Sequence, residues 1–327
     1  MKKYKPIPFN KPIRMAFLGC GNVTQKHSKT LKGLDNSVRR FYASRSLEKA
    51  NQFNAKLRGE GFFGSYKSAI ESPEIDVVFI ATPPSSHLDL TLKSLAAGKH
   101  VIVEKPPFFR STDFDTVRAA SEANQCQVMI AENYFYKPLL VKLRSVLAQN
   151  LIGDVLFIYV NALKKQNVAD WRADKSLAGG GALFEGGIHW INFLSNLGLT
   201  VEKVSGFQPK RSAEIEKSMQ VTFKYREGVV ATLLYSWEVP TVFQGLRISR
   251  IFGREGSITF ESNGIFMFIR GRKIRLAFPG FSDISGYKEM FHDFFKALRA
   301  GEDPQFTFAL AQRDLRFIET AYQTGEK

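Results

Sequence analysis

With 327 residues the chain is longer than one hydrophobic core usually serves, so two domains are expected. Hydrophobic residues at 44% and charged residues at 24% exclude a disordered chain, and no apolar run approaches the roughly 20 residues of a bilayer span. The formal charge of +15 raises the question of a nucleic-acid partner; but the basic residues are scattered over polar faces and no nucleic-acid motif accompanies them, so neither nucleic acid nor membrane is expected and the charge reads as solvated surface with an attraction for an anionic cofactor or substrate.

Residues 1–12 carry Lys2, Lys3, Lys5 and Lys11 with no apolar stretch behind them, which reads as a basic arm and not a secretory leader. The two cysteines, Cys20 and Cys126, are too few for a disulfide framework, and a reducing, cytoplasmic setting is expected.

Residues 13–31 organise the rest of the chain: an apolar strand (Ile13, Met15, Phe17, Leu18), a glycine turn (Gly19-Cys20-Gly21), then a helix opened by Asn22 and Val23. One glycine makes the tight turn, the next lets backbone approach a pyrophosphate, and the helix start supplies N–H donors. Thr24 stands where the dinucleotide fingerprint has a third small residue, and its branched side chain is expected to push helix and strand slightly apart. Two glycines after a strand are also simply a turn, so this motif alone does not decide.

Further strands are expected over 38–43, 61–63, 76–81, 100–103 and 128–131, and helices over 47–57, 66–71, 86–97 and 112–124. Residues 76–81 form a continuous apolar run, the mark of a strand buried on both faces of a parallel sheet. This alternation predicts an α/β fold with a doubly wound sheet, a Rossmann domain over 13–135.

In such a sheet ligands sit beyond the carboxyl ends of the strands. The unusual residues fall there: Gly19 to Gly21, Ser44 and Arg45, Thr82-Pro83-Pro84, Glu104-Lys105-Pro106 and Glu132-Asn133-Tyr134. After the second strand an NAD enzyme usually has Asp or Glu for the ribose hydroxyls, whereas a 2′-phosphate favours Arg; Ser44 and Arg45 therefore favour NADP(H) over NAD(H), with Arg45 as plain surface the alternative. Lys105, beside Glu104 and before a φ-restricted proline, is presented rigidly and can stabilise a developing alkoxide, although Glu-Lys pairs are also common on surfaces.

The run from Gly179 to Asn192 brackets apolar residues with glycines. Glu185 and His189, four apart, share a face if the segment is helical, a spacing that suits a carboxylate orienting an imidazole that exchanges a proton. A glycine linker and a core histidine are the plain alternatives. The five histidines and two cysteines show no metal-ligand spacing, so no metal is expected.

Farther on, strands are expected over 155–163, 218–225, 229–236, 246–252, 257–260, 265–270 and 273–278, joined by short turns such as Arg226-Glu227-Gly228, before two helices over 287–300 and 308–322. Many of the 29 Phe fall in this half; core filling is the default reason and a subunit interface the sharper one.

The glycine turn, Ala81-Thr82-Pro83-Pro84 with His87, Gly98-Lys99-His100-Val101 leading into Glu104-Lys105-Pro106, and Trp171-Arg172 ahead of the segment ending in His189 together resemble the Gfo/Idh/MocA oxidoreductase family, in order and over most of the chain. The resemblance implies a Rossmann domain followed, over 136–327, by an α/β domain with a large, mostly antiparallel sheet that often forms an oligomer interface; a homo-oligomer, dimer or tetramer, is expected. It implies catalysis by Lys105, Glu185 and His189. Cofactor contacts are expected from Gly19, Gly21, Asn22, Val23, Ser44, Arg45, Thr82, Pro83, His87, Glu104, Lys105 and Asn133, and substrate contacts from Trp171, Arg172 and Tyr134. The chain departs from the family with Glu185 for the usual Asp, Asn192 for a common Asp, and Phe135 where many members have Arg. The expected reaction is hydride transfer between NADP(H) and a secondary alcohol or ketone of a sugar, cyclitol or related polyol. Nicotinamide-assisted glycoside cleavage and a non-catalytic cofactor-binding sensor are the alternatives.

Overall fold

The computed structural model describes residues 3–34, 37–168, 170–209, 215–241 and 246–325. By contact the chain divides into two compact units: one runs up to Ala131 and takes in Tyr287–Gln312, the other comprises Glu132–Gly286 and the chain from Arg313 on. Among the described residues no helix is long and apolar enough to cross a membrane.

The first unit is built on β1 (Ile13–Leu18), β2 (Val38–Ala43), β3 (Gly61–Phe63), β4 (Val77–Ile80), β5 (His100–Glu104) and β6 (Val128–Ala131), all parallel, in the order β3-β2-β1-β4-β5-β6. The order reverses between β1 and β4, which is where an open α/β sheet leaves a crevice. Every residue of β4 and β5 is buried, the pattern of strands covered on both faces. Helix starts follow their caps: the Ser46 hydroxyl accepts the Lys49 N–H and the Ser65 hydroxyl accepts the Ser68 N–H. The helix Tyr287–Ala300 belongs to this unit and buries Met290, Phe291, Phe294 and Leu298 at helical spacing, with Phe291 against Phe79. The described part of the basic arm is tied to the same unit: Tyr4 and Ile7 are buried and their backbone N–H groups donate to the Gly301 and Leu298 carbonyls.

The second unit holds β7 (Val155–Leu163), β8 (Val201–Phe207), β9 (Ser218–Tyr225), β10 (Val230–Ser236), β11 (Ile248–Gly253), β12 (Gly256–Glu261), β13 (Met267–Arg270) and β14 (Ile274–Ala277) in one sheet, ordered β14-β13-β12-β11-β7-β10-β9-β8. β7 runs parallel to β10 and the other adjacent pairs are antiparallel. The β9–β10 hairpin forms as its sequence predicts, closed by Tyr225 N–H to the Val229 carbonyl and by Gly228 at φ +81°. β7, the first strand of this sheet along the chain, lies inside it, between β11 and β10.

Two of the longer described elements went unread in the sequence. β8 is an edge strand whose register slips between Val201 and Lys203, so its apolar residues do not alternate. The helix Pro138–Ala148 opens on a proline and buries Leu139, Leu140, Leu143 and Val146.

One face of the large sheet is core: Phe260 meets Phe193, and Phe223 meets Phe317. The other face carries Phe252, Phe157 and Val230, paired directly across β11, β7 and β10 and exposed by 37%, 58% and 37%.

Candidate active site

In the first unit the expected cofactor residues lie at one edge of the parallel sheet. Gly19 follows β1 at φ +107°, and a Cβ there would stand 2.8 Å from the Ala81 carbonyl oxygen, so backbone conformation and close packing both demand glycine. Gly21 differs: its φ is −120° and nothing lies within 4 Å of where a Cβ would be, which leaves open space over the turn. The helix Asn22–Leu31, with Val23 in its first turn, starts there without a side-chain cap, so its first N–H groups are available donors. Thr24 is buried and its hydroxyl donates to the Gly19 carbonyl at 2.5 Å, tying the helix start to the turn. These residues fit a dinucleotide.

After β2, Ser44 is buried with its hydroxyl accepting the Ser46 N–H at 3.3 Å, while Arg45 is exposed and acts electrostatically on Tyr66. Burial pushes the Cys20 thiol up to about 11, so it sits in the turn as a neutral group.

His87 braces the remaining two turns. Its Nε2 lies 2.9 Å from the Thr82 carbonyl, just before Pro83, and its Nδ1 lies 3.0 and 3.1 Å from the Pro106 and Pro107 carbonyls; burial holds its pKa below the ordinary histidine value. The Lys105–Pro106 peptide is cis.

Glu104 is buried, with one carboxylate oxygen in a short hydrogen bond to His27 Nε2 and the other accepting the Lys105 N–H at 3.0 Å. Burial alone would raise its pKa, but the hydrogen bond and charge of His27 bring it below the ordinary carboxylate range. His27, ringed by Phe79, Tyr287 and Phe291, escaped sequence reasoning; the available signal was a histidine on the stripe Thr24, His27, Ser28, Leu31 that faces the core.

In the second unit the glycine-rich segment forms a π-turn over Leu183–Gly187 that runs into the helix Ile188–Ser195. Such turns are uncommon and concentrate at functional sites. Close packing explains two of its glycines: a Cβ on Gly186 would fall 2.1 Å from the Tyr235 hydroxyl, and one on Gly181 would strike the Glu216 carboxylate. Glu216 also clamps the start of the segment, accepting the Leu183 N–H at 2.6 Å and the Tyr322 hydroxyl at 3.1 Å, while that hydroxyl accepts the Phe184 N–H at 3.1 Å. Burial pushes Glu216 up to about 7.

His189 Nδ1 lies 2.7 and 2.9 Å from the two carboxylate oxygens of Glu132, and the nearer oxygen also accepts the Tyr134 N–H at 2.9 Å. The imidazole lies flat on the Tyr134 ring, centroids 4.4 Å apart at 14°. Lys137 Nζ stands 4.4 Å over the same ring, and burial pushes the Tyr134 hydroxyl up to about 12. Glu185 accepts from Arg172 Nε at 3.0 Å, and that guanidinium lies 4.5 Å over Trp171. Asn133 donates to the Ser285 carbonyl at 2.5 Å.

The other two departures from the family pattern have local partners as well. Asn192 donates to the buried Asp314 at 2.8 Å, and the Arg144 guanidinium stacks on Phe135 at 4.4 Å. The second unit thus links Trp171, Arg172 and Glu185 to one another, and Tyr134 to His189 through Glu132. Glu132 was visible in the sequence as a carboxylate at a strand end but was given no role.

A parallel sheet in this order, with an open glycine turn after its first strand, defines a dinucleotide-binding unit. Residues 13–132 match the oxidoreductase family with an NAD-binding Rossmann fold, and residues 140–259 match the GFO/IDH/MocA C-terminal domain. The chain belongs to the Gfo/Idh/MocA family of oxidoreductases. It is 28% identical over 221 residues to trans-1,2-dihydrobenzene-1,2-diol dehydrogenase of Sus scrofa, covering 66% of each chain. It is 30% identical over 234 residues to the dTDP-3,4-didehydro-2,6-dideoxy-alpha-D-glucose 3-reductase of Saccharopolyspora spinosa, covering 69% of each. The structure of levoglucosan dehydrogenase in complex with NADH and levoglucosan shares the fold, with a TM-score of 0.85 and 20% identity over 97% of this chain and 98% of that one.

Proposed function

We propose that the protein catalyses reversible hydride transfer between NADP(H) and a secondary alcohol or ketone of a sugar, cyclitol or related polyol. The observation that carries this reading is an imidazole, His189, anchored by a buried carboxylate on a glycine-rich segment of a family whose members act as oxidoreductases. The dehydrogenase and reductase relatives act on a dihydrodiol and a nucleotide sugar, and the levoglucosan complex adds an anhydrosugar, which supports a sugar-like alcohol here.

A bound nicotinamide supplies the hydride acceptor or donor. Gly19 makes the tight turn, Gly21 leaves room over it for the pyrophosphate, and the N–H groups from Asn22 onward would hold the phosphates. Lys105 holds the reacting oxygen and stabilises alkoxide charge, and His189 takes or gives the hydroxyl proton. Glu185, paired with Arg172, serves the substrate side with Trp171. Preference for the 2′-phosphate is supported by Arg45 at the end of β2 with no carboxylate beside it in Ser44. The exposed Phe252, Phe157 and Val230 support a homo-oligomer, dimer or tetramer, formed through the open face of the large sheet.

A screen of polyols and sugars with NADP+ against NAD+, read by absorbance of the reduced nicotinamide, tests the reading. Lys105→Ala is expected to lose nearly all turnover while NADPH still binds, and unchanged turnover would remove that role. Release of a sugar without net change in NADPH would point to cofactor-assisted cleavage in place of net oxidation.

A further inference from the structure

We infer that Glu132 is the positioning residue of His189, fixing both the tautomer and the plane of the imidazole so that Nε2 is the nitrogen that exchanges the substrate proton. This rests on the acid–base reading of His189. A neutral imidazole carries one N–H, and an ionised carboxylate only accepts; with Glu132 at 2.7 and 2.9 Å, the proton belongs on Nδ1 and the basic lone pair on Nε2. When Nε2 takes a proton, the charge forms against a buried carboxylate that is already in place.

The carboxylate is itself held. Glu132 caps the short turn Asn133–Tyr136 by accepting the Tyr134 N–H, and Tyr134 returns its ring as the surface on which His189 lies. One residue therefore fixes the nitrogen, and its neighbour two positions on fixes the ring plane. Glu185, on the segment that carries His189, is engaged by the Arg172 guanidinium at 3.0 Å and so answers to a second cation. The longer side chain in place of the family's Asp then does not deprive His189 of an orienting acid. Among the described residues, the other titratable groups near the pair include Tyr134, Lys137 over its ring, Arg247 and Glu261, whose charges act on Tyr134, the buried Tyr235, which feels Tyr134 and Glu185, and Asp314, which feels the Glu132 charge.

The 327-residue chain labelled with 15N-histidine provides the test, since it has five histidines and His189 can be assigned with His189→Asn. Long-range 1H–15N correlation spectra across pH should show neutral His189 protonated at Nδ1. Glu132→Gln should lower its titration midpoint by roughly one pH unit or more, and Glu132→Asp should restore part of that shift. With the polyol found in the screen, kcat of Glu132→Gln should fall at least about tenfold with KM for the nicotinamide unchanged, and in the oxidising direction the acid limb of the pH profile should move to lower pH. A wild-type spectrum with the proton on Nε2 overturns the inference without any variant having to fold. So does an unchanged midpoint in Glu132→Gln while the other four histidine signals stay native. Full turnover in His189→Asn would instead sink the acid–base reading, and the spectra would still decide what Glu132 does.

Discussion

Glu104 places one carboxylate oxygen on the His27 imidazole and the other on the Lys105 backbone N–H, so the residue that presents the proposed active lysine is itself half of a buried pair. His27→Ala leaves that carboxylate buried without its partner, and the expected loss is about 3–5 kcal/mol in urea unfolding. Because the folded pKa of Glu104 lies below its ordinary 4.5, its stabilisation is fully present above that value and is lost as pH falls through the folded one. Glu104→Gln should therefore flatten the acid end of the stability profile.

The two glycines of the first turn should separate stability from binding. Gly19→Ala meets both a positive φ and a backbone carbonyl at 2.8 Å, and should cost roughly 1–3 kcal/mol. Gly21→Ala projects into open space and should change stability by less than about 1 kcal/mol while weakening NADPH binding several-fold. Thermal melts and fluorescence titration with NADPH check the pair.

Glu216 gives the opposite pH signature to Glu104. Its folded pKa is raised to about 7, so the folded state holds this proton more tightly than the unfolded chain does. The resulting stability is complete below the ordinary 4.5 and is lost as pH rises through about 7. Relative to wild type, Glu216→Gln should gain stability from about pH 5 to about pH 8 in parallel melts.

Arg45→Asp should reverse the cofactor preference. A hydrogen bond to a charged group is worth about 1.5–3 kcal/mol, so kcat/KM for NADPH relative to NADH should drop by roughly 10- to 100-fold. An unchanged ratio would place Arg45 on plain surface.

The Rossmann half was legible almost residue by residue, because buried parallel strands and capped helices write their pattern locally. β2 and the helix Leu47–Leu57 begin and end where periodicity and Ser46 put them. β8 was hidden for the converse reason: a bulge cancels the alternation that would announce a strand. In the site, strand-end positions singled out Lys105 and the glycines, but pairings across long sequence gaps, His27 with Glu104, Glu132 with His189 and Tyr322 with Glu216, leave no spacing to read. A histidine's partner is decided by which strands and helices meet around it, and that is a property of topology.

The place of β7 between β10 and β11 also sets an order of events during synthesis. β7 leaves the ribosome well before Val230 opens the neighbour it will lie against, and β11 comes later still. Until then a strand with an apolar face waits unpaired, while β8, β9 and β10 can assemble as a local meander ready to receive it. The nascent chain is accordingly most exposed to misassembly between translation of β7 and of β10, the interval in which a holding chaperone would matter most.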